Sequence, residues 1–434
     1  MLYFIVRPAA RIWLKACFRK IHFHNSEVIP TDKPVLLAAN HPTAFIEPCI
    51  LATHLPLPLH FIVRGDLFVK PFYIRLLNAL NMVPIYRLKD GGFKNLKNNY
   101  DTFRYCHQAL KDQKAIMILA EGTTIHEKRL RPLRKGTARI AFGAIEAFGE
   151  MDLHIIPVGV NYTYADQARQ EAMIEFGEPI RVMEYWDAYK EDANEATRVL
   201  LADLRARLEQ SIIIIDRVED ENLVEKLLVL YRNDHPMSVL PVLVRDNERL
   251  KDEKQIAHWI NQLPDSSRSQ LLGQVEEYYD LLHKEQLEDV GVAQKWQFSW
   301  RNSLILVLGA LPFALGVLGN CLPYLITQSI VDKKVKAIEF KLSVWLSVGM
   351  FLYIIYWFLL LLFVVPKDHP GFGLFWLSLP FLAYFATLYS ELFAKWWQAW
   401  SFQCLDKAVQ QKMEEARLGL RLMLEKHTIQ KTTT

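Results

Sequence analysis

The stretch VLLAANHPTAFIEP, residues 35–48, decides the fold. Its first half is an aliphatic run, which predicts a buried β-strand. The polar pair Asn40–His41 follows, and Pro42 stands where a helix can begin. Six residues after His41 comes one carboxylate, Glu47. A histidine at such a corner, with a carboxylate facing its second ring nitrogen, is the arrangement of a general base and its orienting acid. A capping histidine beside an exposed glutamate is the alternative, because spacing alone does not establish geometry.

Two further strand-like runs also end on polar residues. Residues 82–86 lead into Arg87, and residues 115–120 lead into the loop that contains Glu121, Gly122, Thr123 and Thr124. Because the carboxyl ends of parallel strands meet at one edge of a sheet, these residues are predicted to line a single site in an α/β fold. Arginine grips phosphate through two parallel hydrogen bonds. For Arg87 taken alone, a surface position is the alternative.

Together these segments resemble the ordered motifs of the glycerolipid acyltransferases, the enzymes that acylate glycerol 3-phosphate or lysophosphatidic acid. The matching segments are Asn40-His41-Pro42 with Glu47-Pro48, Val83-Pro84-Ile85-Tyr86-Arg87, Glu121-Gly122-Thr123, and Ile155-Ile156-Pro157-Val158. They lie between about residues 21 and 179, which is under half of the chain. The resemblance implies an α/β domain in which helices flank a mixed sheet.

The resemblance also implies roles for individual residues. His41 would remove the proton from an acceptor hydroxyl, and Glu47 would orient its ring. Arg87 would bind the acceptor's phosphate. The residues that would contact the substrate or organise its site are Glu121, Gly122, Thr123 and Thr124. A basic segment that would add positive charge beside them contains Arg134, Lys135 and Arg139. For each of these three basic residues, a solvated helix start is the alternative.

Two residues depart from the family pattern. Relatives carry aspartate where this chain has Glu47, so the longer side chain must fold back, or its helix must shift, to keep the contact with His41. Relatives usually carry proline where this chain has Ala120. The resemblance implies no metal and no prosthetic group. The acyl thioester, either acyl-CoA or acyl carrier protein, would enter as a co-substrate.

The composition separates two halves of the chain. Only a few charges interrupt residues 302–390, whereas the first 300 residues are an ordinary soluble mixture. A formal net charge of +3, without an arginine-aromatic motif or zinc-finger spacing, argues against a nucleic-acid partner. The five cysteines are scattered and form no Cys-x-x-Cys pair, which argues against a disulfide framework and a structural zinc site.

Five segments are predicted along the chain. In residues 1–20 a basic residue recurs every fourth position from Arg7 to Arg19, which is typical of an amphipathic helix lying on an anionic membrane surface. A soluble helix packed on the domain is the alternative. The other segments are an acyltransferase domain at 21–190, a helical accessory region at 191–300, a transmembrane region at 301–400 and a helical cytoplasmic tail at 401–434.

Three apolar runs in the transmembrane region are each long enough to span a bilayer, which takes about twenty residues. Gly309, Pro312 and Pro323 are expected to break the first run into a re-entrant hairpin. The other two runs would then form one true hairpin. The lysine-rich loop at residues 333–341 is predicted to be cytoplasmic by the positive-inside rule. If the first run enters and leaves the membrane by the same face, the catalytic domain of this integral membrane protein lies on the cytoplasmic face together with that loop.

The predicted function is acyl transfer from acyl-CoA or acyl carrier protein to a hydroxyl of lysophosphatidic acid or glycerol 3-phosphate, with membrane lipids as partners. One alternative is O-acylation of a non-phosphorylated lyso-lipid, such as an amino-acid-linked lipid, which would not need a phosphate grip at Arg87. The other is a non-catalytic lipid-binding membrane protein, against which the intact His41, Arg87 and Glu121 argue. The sequence sets neither the acyl chain nor the oligomeric state.

Overall fold

A computed structural model describes residues 2–86, 99–164, 166–363 and 370–428. The chain forms two compact units, each made of segments that are distant in sequence. The first unit contains residues 1–214, 239–250 and 335–346. The second unit contains residues 215–238, 251–334 and 347–434.

The first unit is built on a mixed β-sheet. Its strands are β1 Lys20–His24, β2 Val35–Ala39, β3 Leu59–Arg64, β4 Met82–Ile85, β5 Ala115–Leu119, β6 His154–Tyr162, β7 Glu171–Phe176, β8 Ile180–Arg181 and β9 Leu243–Val244. Their order is β4-β3-β5-β2-β6-β7-β1-β9, and β8 also pairs with β6. The five strands from β4 to β6 are parallel to one another, and β7 is antiparallel to β6. Strands β1 and β9 run parallel to β7.

Strand β2 lies between β5 and β6, and all five of its residues are buried. Its side chains alternate between two buried clusters. Val35, Leu37 and Ala39 belong to one cluster, and Leu36 and Ala38 belong to the other. Both faces of the strand are therefore covered, which explains an unbroken aliphatic run in place of polar alternation.

Helices supply the rest of both clusters. The helices of the first unit are α1 Leu2–Cys17, α2 Ile46–His54, α3 Pro71–Ala79, α4 Asn99–Lys111, α5 Gly136–Phe148, α6 Trp186–Glu191 and α7 Ala193–Gln210. Side chains of α1 and α2 pack in the first cluster, and those of α4, α5 and α7 pack in the second. The predicted mixed sheet with flanking helices is confirmed. The unit is larger than the predicted segment 21–190, because it takes in residues from much farther along the chain.

Helix α1 uses its basic residues inside the fold. Arg7 donates a hydrogen bond to the carbonyl oxygen of Leu55, and Arg11 Nε donates to the carbonyl oxygen of Thr53 at 2.6 Å. These carbonyl groups lie at the carboxyl end of α2, where a cation offsets the helix dipole. Three large apolar side chains of α1 are exposed, namely Phe4, Ile5 and Ile12, and Arg11 is exposed as well. Contact of α1 with a membrane surface stays a prediction, and the exposed apolar face is the one suited to it.

The last residue of α2 is a histidine with a perturbed pKa. His54 Nδ1 lies 3.0 Å from the carbonyl oxygen of Ile50, so Nδ1 carries the proton. The buried Nε2 has no hydrogen-bond partner among the described residues. Burial, with smaller contributions from Arg11, Lys15 and Arg7, lowers the pKa of His54 to about 4. Protonation of this ring therefore opposes folding.

The expected result is a loss of stability in mild acid. Between pH 6.5 and about 4 the unfolded chain binds a proton at His54 that the folded chain does not bind. The free energy of unfolding should fall by about 3 kcal/mol as the pH drops through this window. In detergent, the melting temperature of the wild type should fall more steeply than that of His54→Gln, which does not titrate. If the melting temperatures of the two proteins fell equally with pH, the lowered pKa of His54 would be contradicted.

The second unit is helical in the residues that the structure describes. Its helices are α8 Glu221–Asp234, most of α9 Glu248–Gln262, α10 Asp265–Lys284, α11 Asp289–Ala293, α12 Trp300–Lys334, most of α13 Ile338–Phe363, α14 Pro370–Gln403 and α15 Lys407–Thr428. A buried ion cluster joins three of them. Arg417 of α15 pairs with Asp289 and Asp234 at 2.8 Å each. The predicted accessory region at 191–300 is mainly helical, but it also supplies β9 to the sheet of the first unit.

Three helices are long and apolar enough to cross a membrane, at Trp300–Lys334, Ile338–Leu362 and Gly373–Gln403. The predicted spans are thus confirmed by length and composition. The expected break in the first is wrong, because α12 continues through both Pro312 and Pro323. Proline lacks an N–H group, so Pro323 leaves the carbonyl oxygen of Gly319 without its helical donor. The hydroxyl of Tyr356 donates to that oxygen at 2.8 Å and compensates for the loss.

Candidate active site

The site begins where the adjacent strands β2 and β5 end. The N–H of Ala120 donates to the carbonyl oxygen of Ala39 at 2.9 Å, so the two chains leave the sheet side by side. Asn40 then continues the pairing with its side chain. Its Nδ2 donates to the carbonyl oxygen of Val160 at 2.9 Å, and its Oδ1 accepts from the N–H of Val160 at 2.7 Å. These two hydrogen bonds to β6 fix the backbone at the corner where His41 lies.

His41 is held through its backbone and its ring. Its N–H donates to Glu121 Oε1 at 2.7 Å. Its Nε2 lies 2.5 Å from the hydroxyl oxygen of Thr124, and 9% of the residue is exposed. Its Nδ1 lies 3.9 Å from Glu47 Oε1 and makes no hydrogen bond to any residue that the structure describes. With the proton on Nδ1, the Thr124 hydroxyl donates to Nε2, which is the form that a general base requires.

Glu47 lies in the first turn of α2 and is fully buried. Its Oε1 accepts from the N–H of Thr43 at 2.7 Å, so the side chain folds back over the loop that follows His41. Its Oε2 has no hydrogen-bond partner in the described part of the chain. The separation of 3.9 Å between Oε1 and His41 Nδ1 exceeds a hydrogen bond by about 1 Å. The ring and the carboxylate therefore face each other without yet bonding.

Glu121 uses both carboxylate oxygens inside the protein. Oε1 accepts from the N–H of His41, and Oε2 accepts from the N–H of Arg131 at 3.2 Å. Burial raises the pKa of the Glu121 carboxyl, while the two N–H groups act in the opposite direction. Of the two roles that the resemblance left open, these contacts correspond to organisation of the site, since they join the ends of β2 and β5.

The residues after Glu121 form a tight turn. Gly122 has φ of +67°, which favours glycine, and a Cβ there would lie 3.0 Å from Arg134 Cγ. Thr123 Oγ1 accepts from Arg131 Nη1 at 3.4 Å. Thr124 is half-buried and turns its hydroxyl to His41. The turn thus brings three of the predicted site residues, Thr124, Glu121 and His41, into direct contact.

The predicted basic residues lie at the start of α5. Arg134, Lys135 and Arg139 are all exposed, and no described residue forms a hydrogen bond or an ion pair with their side chains. Arg134 packs beside Gly122, whereas Lys135 and Arg139 lie farther along. The amino end of a helix adds partial positive charge. These side chains are therefore free to meet an anion near the turn, but they do not contact His41.

Arg87 lies outside the described residues. Strand β4, which precedes it, ends at Ile85 on the same edge of the sheet as β2, but two other strands separate them. At the usual strand spacing this is about 14 Å. Tyr86 is fixed by Asn99, whose side chain bonds to both its N–H and its carbonyl oxygen at 2.7 Å.

A cavity adjoins the histidine and includes residues that the sequence interpretation missed. Asn40 and Pro42, which flank His41 in sequence, line it together with Ile212 and Ile213. The remaining lining residues are His126, Glu127, Lys128, Arg129, Val160, Asn161 and Tyr162. Asn161 Oδ1 accepts from the N–H of Ile213 at 2.9 Å and holds that segment on β6. The run of four isoleucines from Ile212 is the sequence signal for an apolar wall.

The buried histidine and its facing carboxylate lie at the carboxyl ends of parallel strands, in an arrangement that suits general-base activation of a hydroxyl. The comparison with known families agrees with this class. Residues 20–161 match the family model described as Acyltransferase. The match covers 142 of the 434 residues and includes the strands that carry His41 and Glu121.

Two curated relatives from Saccharomyces cerevisiae are similar to part of this chain. Glycerol-3-phosphate O-acyltransferase 2 is 28% identical over 172 residues, 37% of this chain and 23% of the relative. Glycerol-3-phosphate O-acyltransferase 1 is 27% identical over 145 residues, 32% of this chain and 19% of the relative. The chain thus spans about a fifth of the length of these relatives. A solved lysophosphatidic acid acyltransferase, PlsC from Thermotoga maritima, has 17% identity and a TM-score of 0.32 over 44% of this chain and 71% of its own.

Proposed function

We propose that the protein transfers an acyl group from a thioester to a hydroxyl of glycerol 3-phosphate or lysophosphatidic acid. The observation that carries the proposal is the geometry at His41. Its Nδ1 faces the buried Glu47 carboxylate at 3.9 Å, and its Nε2 faces a hydroxyl group, that of Thr124, at 2.5 Å. The match to the Acyltransferase family and the names of the yeast relatives support this choice of substrates.

In this mechanism, Nε2 of His41 takes the proton of the acceptor hydroxyl. The acceptor oxygen forms a bond to the thioester carbonyl carbon and gives a tetrahedral intermediate. When the intermediate collapses, the carbon–sulfur bond breaks, and the imidazolium of His41 returns the proton to the leaving sulfur. The products are the ester and the free thiol of coenzyme A or acyl carrier protein. The histidine ends each cycle neutral, as a general base must.

Two neighbours prepare the ring for this step. A shift of about 1 Å brings Glu47 Oε1 within hydrogen-bond distance of Nδ1–H, where the carboxylate stabilises the imidazolium. Catalytic hydrogen bonds are often long before the substrate binds. The Thr124 hydroxyl donates to the nitrogen that must accept the proton, and a substrate hydroxyl takes its place in the complex. Glu121 keeps the backbone of His41 fixed throughout.

The phosphate of the acceptor needs positive charge near the turn at Gly122. Arg134 packs beside that glycine and is exposed, Lys135 immediately precedes α5, and Arg139 lies in its first turn. Arg87 follows the fixed residue Tyr86 in sequence and is the fourth candidate. We propose that these cations bind the phosphate, with Arg87 as the bidentate partner.

We place the catalytic unit on the cytoplasmic face. The first unit includes residues 335–346, which carry Lys336 and Lys341 of the lysine-rich connection between α12 and α13. The positive-inside rule assigns such a connection to the cytoplasm. Because the connection and the histidine belong to one compact unit, we propose that they share a side of the membrane and that α12, although unbroken, does not carry the chain from one face to the other. Acyl-CoA and acyl carrier protein are also cytoplasmic.

The orientation predicts the accessibility of residue 336. In a Lys336→Cys variant without the native cysteines, a membrane-impermeant maleimide should label intact cells weakly. The same reagent should label opened membranes strongly. Strong labelling of intact cells would place the connection, and the catalytic unit with it, on the outer face.

The test of function is acyl transfer by the full chain purified in detergent. A labelled acyl-CoA and a labelled acyl carrier protein are each offered with glycerol 3-phosphate, lysophosphatidic acid and a non-phosphorylated lyso-lipid. Transfer to a phosphorylated acceptor, lost in His41→Ala, is expected. Transfer only to the non-phosphorylated acceptor would be consistent with the role of His41 but would contradict the proposed phosphate site. No transfer from either donor would favour the non-catalytic lipid-binding protein.

A further inference from the structure

The loop that follows His41 is held by a segment from far along the chain. The backbone N–H of Ala44 donates to the carbonyl oxygen of Glu339 at 3.1 Å. Glu339 lies in the first turn of α13, one of the three helices long enough to cross a membrane. Residues 335–346 belong to the same compact unit as the histidine, whereas the match to the Acyltransferase family ends at residue 161.

The same segment is part of the hydrophobic core around α2. Leu342 and Leu346 are 2% and 6% exposed. Both belong to the buried cluster that contains Ile46 and Ile50 of the helix that carries Glu47. Ser343, between the two leucines, is fully buried. One face of the first turns of α13 is therefore covered by the catalytic unit, not by lipid.

A second contact ties the segment to α1. The rings of Trp13 and Trp345 stack with centroids 6.1 Å apart and planes at 19°. Trp13 Nε1 also donates to the carbonyl oxygen of Leu346 at 2.9 Å. Helix α1 in turn caps α2 through Arg7 and Arg11. The start of α13 thus reaches α2 by two routes, directly through the core and indirectly through α1.

The backbone N–H groups of residues 41–44 are held by acceptors from three different segments. The N–H of His41 donates to Glu121, that of Thr43 to Glu47, and that of Ala44 to Glu339. Pro42 has no N–H. Each donor of residues 41–44 therefore has a fixed partner, and the carbonyl of Glu339 is the partner supplied from outside the matched family region.

We propose that the start of α13, through Glu339, Leu342 and Leu346, is a positioning element of the catalytic site, which holds the loop at residues 42–45 so that Glu47 faces His41. The proposal rests on the proposed function for its kinetic consequence. A misplacement of reacting groups by about 1 Å lowers turnover by up to about 100-fold. Loosening this segment should therefore lower kcat, while the KM for the acyl thioester changes little, because none of residues 335–346 lines the cavity beside His41.

The experiment compares two aliphatic side chains of α13 that lie one helical turn apart, in the full chain. Leu342→Ala removes a buried side chain, and Ile338→Ala removes one that is 42% exposed. Leu342→Met keeps the volume and serves as the conservative variant. We expect kcat of Leu342→Ala to fall by about 10- to 100-fold. Ile338→Ala and Leu342→Met should stay within about twofold of the wild type.

Hydrogen exchange supplies a readout that needs no activity. In Leu342→Ala, the peptide that contains residues 42–48 should exchange about tenfold faster than in the wild type, since its anchor is loosened. Peptides from β2 and β5 should exchange as in the wild type and show that the sheet is intact. If the exchange changes as expected but no acceptor is acylated by any variant, the proposed function fails and the positioning role stands.

Two outcomes would overturn the positioning role. One is a Leu342→Ala protein with wild-type exchange in residues 42–48. The other is a fall in kcat that Leu342→Met shares equally, because a side chain of nearly the same volume would then fail to restore the anchor. If Leu342→Ala does not fold, Leu346→Ala serves in its place, since it lies one turn on in the same buried cluster.

Discussion

Replacing His41 with alanine should lower acyl transfer by about 1,000-fold or more without unfolding the protein. A general base contributes about 10²- to 10⁴-fold to such a reaction. The fold should persist because the backbone N–H of residue 41 still donates to Glu121, and Asn40 still joins β2 to β6. The measurement is the initial rate of transfer in detergent micelles, together with the melting temperature.

A second histidine of the same sheet supplies the matched control. His154 is also buried, but it begins β6 and is paired with Val35, at the opposite edge from His41. A His154→Gln variant should transfer at the wild-type rate. A turnover of His41→Ala within about twofold of the wild type would show that His41 is not the general base and would contradict the proposed mechanism.

Replacing Glu47 with glutamine should lower turnover by about 100-fold or more while the protein becomes no less stable. The amide keeps the shape, and its oxygen still accepts from the N–H of Thr43. It no longer offers a negative charge to the imidazolium of His41, and loss of the orienting carboxylate costs as much as about 10⁴-fold in related arrangements. A carboxylate that is fully buried carries a desolvation cost, which the neutral amide avoids.

Glu47→Gln should thus lower turnover without lowering the melting temperature, and this combination distinguishes a catalytic role from a structural one. Glu253 is equally buried, but it pairs with Arg232 at 2.7 Å, so Glu253→Gln should lower the melting temperature and leave turnover unchanged. Glu47→Asp restores the residue that the family carries and keeps the charge, so it should retain more activity than Glu47→Gln. A Glu47→Gln enzyme with full turnover would exclude the carboxylate from catalysis.

The central strands could be predicted from the sequence because each is a short aliphatic run closed by polar residues. Strand β2 is buried on both faces, and this explains why its uninterrupted aliphatic run predicted a strand correctly. The meeting of β2 and β5 at one edge also followed from the pattern, since parallel strands align their carboxyl ends. The contact of Thr124 with His41, by contrast, depends on a turn at positive φ that spacing does not reveal.

Other features could not be predicted from the sequence, because they depend on contacts with residues that are distant along the chain. Strand β9 has two residues, too few for a recognisable pattern, and it exists because β1 offers an edge. The basic stripe of α1 looked suited to an anionic surface, yet the carbonyl groups of α2 take up Arg7 and Arg11. The prolines of α12 suggested a break, but Tyr356 supplies the donor that Pro323 removes. A local pattern does not contain such partners.

The division of the catalytic unit into three chain segments also sets an order of events during synthesis. Chains fold as they leave the ribosome, starting from the amino end. Residues 1–214 emerge first, but the partner of the Ala44 N–H is not made until the ribosome has passed Glu339. By then all of α12, with its apolar residues, has been translated. The nascent chain thus acquires its complete active-site loop only after it has acquired a membrane-seeking segment.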